Sequence, residues 1–112
     1  MPSPYVLKDA RRVHESEVRD LIKQTGQPYD DNGDLIPEEV EDIIEMNPTM
    51  QVTEIHARDH QTYMFWDVTG YVWLFAVCRK FEGASIEACK TFKDVRKVTS
   101  IKPAPEKKGN PQ

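Results

Sequence analysis

The sequence predicts an α+β fold, with two N-terminal helices and a C-terminal helix packed on an antiparallel three- to four-stranded β-meander. Three observations lead there. Residues 61–81, QTYMFWDVTGYVWLFAVCRKF, hold most of the aromatic residues and nearly all of the continuous hydrophobicity, in the β-branched and aromatic types that suit a pleated surface. Residues 50–60 alternate with period two, which argues for a strand leading into that segment. Apolar residues also recur at helical spacing in two stretches upstream and one downstream.

In chain order, residues 4–7 are a short extended segment in which Pro4 limits pairing. From Asp9 the period turns helical through Ala10, Val13, Val18, Leu21, Ile22 and Thr25, and Gly26 stands where a C-terminal cap is expected. Arg11, Arg12, Glu15, Glu17, Arg19 and Lys23 fall mainly on the opposite face, so the helix is amphipathic. Residues 27–36, QPYDDNGDLI, form a loop by composition.

Pro37 opens a second helix, with Glu38, Glu39 and Glu41 at its dipole-positive end and Val40, Ile43 and Ile44 as its buried stripe. Asn47-Pro48 stops it. The strand of residues 50–60 places Val52, Glu54, His56, Arg58 and His60 on one face and Thr53, Ile55, Ala57 and Asp59 on the other. The hairpin follows, residues 63–68 and 71–81 joined at Thr69-Gly70. In its second strand Tyr71, Trp73, Phe75, Val77 and Phe81 point one way and Val72, Leu74, Ala76 and Cys78 the other. Ser85 caps a third helix that buries Ile86, Cys89, Phe92 and Val95, with Val98 as a further candidate, and a strand over 94–101 is the alternative. Residues 1–102 then make a single domain, and the tail of residues 103–112, PAPEKKGNPQ, is expected to be disordered.

A chain of 112 residues can bury a core without disulfides or metal. Its formal net charge of -4 argues against a phosphate backbone as its main partner. Acidic residues crowd residues 15–54 and basic ones residues 79–108. No apolar run is long enough to span a bilayer, and Met1-Pro2-Ser3-Pro4 shows no signal-peptide pattern, so a cytoplasmic location without membrane contact is expected. Cys78 and Cys89 lack a CxxC spacing and read as small buried hydrophobes.

Candidate sites follow from residue types. Asp30, Asn32 and Asp34 alternate as the oxygens of an EF-hand-like calcium loop do, and Glu41 stands at the distance of the closing carboxylate. Leu35, however, occupies the place of the glycine that permits the bend, which leaves an Asx-rich loop as the competing reading. Glu54, His56, Arg58 and His60 on one strand face resemble an acid–base or metal constellation, against a plain solvent-facing stripe. Trp66, with Met64, marks a partner-binding patch if it is exposed. Tyr63, Phe65, Tyr71, Trp73 and Phe75 are a base-stacking surface if open and core if covered.

The order of elements, with Glu54-Ile55-His56-Ala57-Arg58, Thr62-Tyr63-Met64-Phe65-Trp66, Val72-Trp73-Leu74-Phe75 and Arg79-Lys80-Phe81, resembles the RelE, HigB and ParE toxin superfamily. The resemblance implies two N-terminal helices on an antiparallel sheet. It also implies Arg58, Arg79 and Lys80 as the cations that, in messenger-cleaving members, hold RNA and stabilise the transition state. No Tyr or His follows Phe81 to serve as a late acid–base residue.

The preferred reading is a small intracellular regulatory protein without catalysis or cofactor, which binds another protein through an acidic helical face. Glu38, Glu39, Glu41, Asp42 and Glu45 are its expected contact residues, together with Trp66. Nucleic acid is the less favoured partner, and a homodimer stays open. The alternatives are a toxin-like ribonuclease or target-binding member and a degenerate calcium module.

Overall fold

The computed structural model describes residues 6–84 apart from Gly26 and Asp31. Its body is one antiparallel sheet of six strands, β1 (Val6–Leu7), β2 (Arg11–His14), β3 (Gln27–Tyr29), β4 (Thr49–His56), β5 (His60–Trp66) and β6 (Val72–Arg79). Two short helices accompany it among the described residues, α1 (Glu15–Thr25) and α2 (Val40–Met46), the latter entered through a 3-10 turn at Pro37–Glu39. The sheet order is β1-β4-β5-β6-β3, with β2 also lying along β4. The expected three helices on a three- to four-stranded meander are therefore replaced by a larger sheet with less helix. The helix expected after Ser85 and the tail of residues 103–112 lie outside the described residues.

Two local reassignments account for most of the difference. Residues 11–14 pair with β4 from Arg11↔Val52 to His14↔Thr49, and the helix begins only at Glu15. Val13 satisfies a helical and an extended period equally, and the open margin of β4 decides between them by offering backbone partners that a helix start would leave unused. Residues 27–29 pair with β6 as Gln27↔Val77, Pro28↔Ala76 and Tyr29↔Phe75, where a loop was expected. Proline is tolerated there because the strand is the outermost of the described sheet.

The hairpin of β5 and β6 is in place, closed by a turn in which Gly70 takes φ +91°. Its ladder carries a bulge. Phe65 faces Leu74, yet Trp66 faces Val72, which leaves Trp73 as the extra residue. The bulge reverses the strict alternation expected for this strand, because Trp73 now shares a face with Leu74 and Ala76 while Val72 joins Phe75 and Val77.

The sheet is buried on both faces. On the helix side, Val18 and Ile22 of α1 and Val40, Ile43 and Ile44 of α2 pack on Met50, Val52, Phe65 and Leu74. On the other side, Ile55, Met64, Val72, Phe75 and Val77 form a second buried cluster with Tyr29. Burying a side chain of this size is worth about 1.5–3 kcal/mol, so the two clusters carry the stability of the fold. Asn47 ends α2 by turning its backbone N–H onto the carbonyls of Ile43 and Ile44, both at 3.1 Å, and its side-chain amide onto Ile43 O at 3.0 Å. Among the described residues no helix is long and apolar enough to cross a membrane.

Candidate functional site

The carboxylates expected to face a partner are all exposed on one short segment, Glu38 and Glu39 on the 3-10 turn and Glu41, Asp42 and Glu45 on α2. The amphipathic period explains the display, since burying Val40, Ile43 and Ile44 leaves the intervening acids outside. Glu41 is engaged within the chain. Arg19 of α1 donates to both of its carboxylate oxygens, at 2.9 to 3.1 Å, and also reaches Glu15 at 3.0 Å. These bonds raise the Arg19 pKa and lower that of Glu41. Glu38, Glu39, Asp42 and Glu45 have no ion-pair partner among the described residues.

A cleft of about 380 Å3 opens beside this segment. One wall is Glu39, Asp42, Ile43 and Met46, the loop after β3 contributes Asp30, Asn32 and Ile36, and the opposite side is Tyr71 of the β5–β6 turn with Val72 and Trp73 at the start of β6. Its aromatic wall is built from within. Asp67 accepts the Trp73 indole N–H at 3.0 Å on one oxygen, and on the other the backbone N–H groups of Thr69 at 2.9 Å and Tyr71 at 3.1 Å, as well as the Thr69 hydroxyl. Burial pushes the Asp67 pKa upward, but the hydrogen bonds from Thr69, Trp73 and Tyr71 outweigh it and hold the carboxyl below its ordinary value. Tyr71 meets Trp73 edge to face, with ring centroids 4.9 Å apart and planes at 72°. Sequence reasoning named the acids of this cleft but treated Tyr71 and Trp73 as core or stacking residues. The bulge that turns Trp73 toward α2 leaves no mark on the hydropathy pattern.

The remaining candidates are distributed otherwise. Asp30 serves its own loop, its Oδ1 accepting the N–H groups of Asn32 at 2.8 Å and Asp34 at 2.9 Å, while Glu41 is turned to Arg19. The calcium set of Asp30, Asn32, Asp34 and Glu41 is thus not brought together, and the described residues contain no group of three His, Cys, Asp or Glu side chains able to hold a metal ion. Trp66 is half-buried against the second cluster and donates its indole N–H to Thr53 Oγ1 at 3.0 Å. An exposed anchor was expected there.

Glu54 and His56 pair at 3.1 Å on β4. Arg58 and His60 do not join them on that face, because β4 ends at His56 and a turn intervenes before β5. Arg58, Arg79 and Lys80 do collect at one end of the sheet, where Arg79 faces His60 in the ladder. Lys80 is committed to the Ala57 carbonyl, and His60 is buried at 3% exposure with its Nδ1 2.7 Å from Asp59. Cys78 is half-buried, and burial pushes its thiol pKa upward, away from thiolate chemistry.

No protein-family model matches this chain, and neither a curated protein nor a solved structure matches it.

Proposed function

We propose that this protein is a small, non-catalytic binding module of the cytoplasm that holds a basic segment of a partner protein on the acidic face of α2. One observation carries the reading. Four exposed carboxylates with no ion-pair partner among the described residues, those of Glu38, Glu39, Asp42 and Glu45, line a surface continuous with a cleft whose described lining holds no Lys, Arg or His. Unneutralised charge of one sign steers an oppositely charged partner and sets its orientation. Glu15 and Glu41, by contrast, are already paired with Arg19.

The test is capture from a nuclease-treated lysate with the intact protein and with a Glu38→Lys, Asp42→Lys, Glu45→Lys variant. The expected result is a defined basic protein retained by the former, released by salt and lost by the variant. Equal retention by both would remove the acidic face from the binding surface.

A second reading draws on the resemblance to the RelE, HigB and ParE toxins and is favoured by the gathering of Arg58, Arg79 and Lys80 at one end of the sheet. Arg58 and Arg79 are exposed there and suit a phosphate backbone. Against catalysis, the neighbouring imidazole of His60 is buried. Recovery of ribosomes or RNA that disappears on nuclease treatment, with loss in an Arg58→Ala, Arg79→Ala variant, would favour this reading over the first.

A further inference from the structure

We infer that the cleft between α2 and the β5–β6 turn receives a guanidinium group, the side chain of an arginine carried by the partner's basic segment. The inference rests on the acidic-face reading and says where on that face a specific contact is made. The volume, about 380 Å3, falls within the roughly 300–1,000 Å3 of small-group sites. Among the described residues three carboxylates line it, those of Asp30, Glu39 and Asp42, and no described cationic side chain lies among them.

The acids alone would not make a site. What they surround is an aromatic wall whose geometry is set before any ligand arrives, with Trp73 rotated out of the strand's alternation by the bulge and its indole fixed on Asp67. Bulges recur where a strand must re-aim a side chain at a site. The faces of Trp and Tyr attract cations, and a planar guanidinium stacks on them while its edge donates to oxygens lying apart. The carboxylates here come from two separate elements, Asp30 from the loop after β3 and Glu39 and Asp42 from the entry and first turn of α2. A metal ion needs oxygens that converge on a point, and among the described residues no such group exists. An ammonium is a point charge with the same preference, whereas a fork of five donors can bridge oxygens that stand apart.

The experiment is a titration of the full 15N-labelled chain at low salt with a blocked peptide containing two arginines and with its lysine twin. The two indole N–H resonances, from Trp66 and Trp73, are followed. The inference expects the Trp73 resonance to move saturably with the arginine peptide while that of Trp66 stays, with the lysine peptide weaker by about threefold or more. Glu39→Gln with Asp42→Asn, both at exposed positions, should weaken the arginine peptide about tenfold, and Glu38→Gln with Glu45→Gln should change it less. Equal binding of the two peptides would overturn the preference for guanidinium. If the peptide binds, leaves the Trp73 resonance unmoved and responds only to Glu38 and Glu45, the cleft is not the receptor while the acidic-face reading stands. Absence of binding by either peptide would overturn both.

Discussion

The Trp73 indole N–H lies 3.0 Å from Asp67 Oδ2, so the residue that the bulge expels from the strand is tied to the residue that builds the turn. Asp67 is 9% exposed, and its carboxylate accepts the N–H and hydroxyl of Thr69, the N–H of Tyr71 and this indole. One carboxylate therefore couples the turn, which backbone bonds between Asp67, Gly70 and Tyr71 also close, to the aromatic wall of the cleft.

Asp67→Asn should destabilise the protein by roughly 1–3 kcal/mol, because an amide presents one acceptor where the carboxylate presented two. The Asp67 pKa is lowered on folding, so the folded state binds fewer protons than the unfolded one. Its stabilisation is full above the unfolded carboxylate value of about 3.9 and is lost as pH falls through the folded value. Urea titrations at neutral pH and near pH 3 should show a smaller pH difference for the variant than for the parent chain.

Gly70→Ala should cost about 1–2 kcal/mol, since φ at this position is +91°, a backbone conformation that side chains disfavour. The loss appears in the same urea titration. In the indole spectrum the Trp73 resonance should broaden or move while that of Trp66 holds, because the turn and the Trp73 bond share Asp67.

Phe65→Ala should cost about 3–5 kcal/mol. The ring is fully buried, faces Leu74 across the ladder and contacts the helices' core cluster. A loss of that size is a large part of the 5–15 kcal/mol typical of a domain, so the variant's thermal midpoint should fall by many degrees.

Millimolar calcium should leave the melting temperature unchanged, because Asp30 is turned to its own loop and Glu41 to Arg19. A rise that grows with calcium concentration would show binding by mass action and would revive the loop as a metal site.

The Arg19–Glu41 pair links α1 to α2 across the exposed surface, and its coupling in a double-mutant cycle should be small and fade at high salt. Because the Glu41 pKa is lowered, the coupling is present above the unfolded carboxylate value and fades as pH falls through the folded one.

What was legible in the sequence was local chemistry. Asn47-Pro48 ends α2, Pro37 begins the turn into it, and Thr69-Gly70 lies in the hairpin turn. What was not legible depended on neighbours distant in the chain. Val13 pairs with Met50 and Pro28 with Ala76, and neither partner is visible from a window of a dozen residues. The candidate site shows the same division. The exposed acids of α2 follow from its apolar stripe, whereas Trp73 sits in the cleft because of one additional residue in β6 that no periodicity announces.

Both margins of the described sheet are interrupted. Between Leu7 and Arg11 three residues stand against the two that separate Val52 from Ile55, so the outer ladder breaks between β1 and β2. On the far side Pro28 removes a backbone donor from the middle of β3. A seventh strand arriving at either rim would find a kinked or incomplete row of partners, and stacking into fibrils is thereby discouraged. A chain this rich in β-structure thereby carries rims that resist indefinite growth.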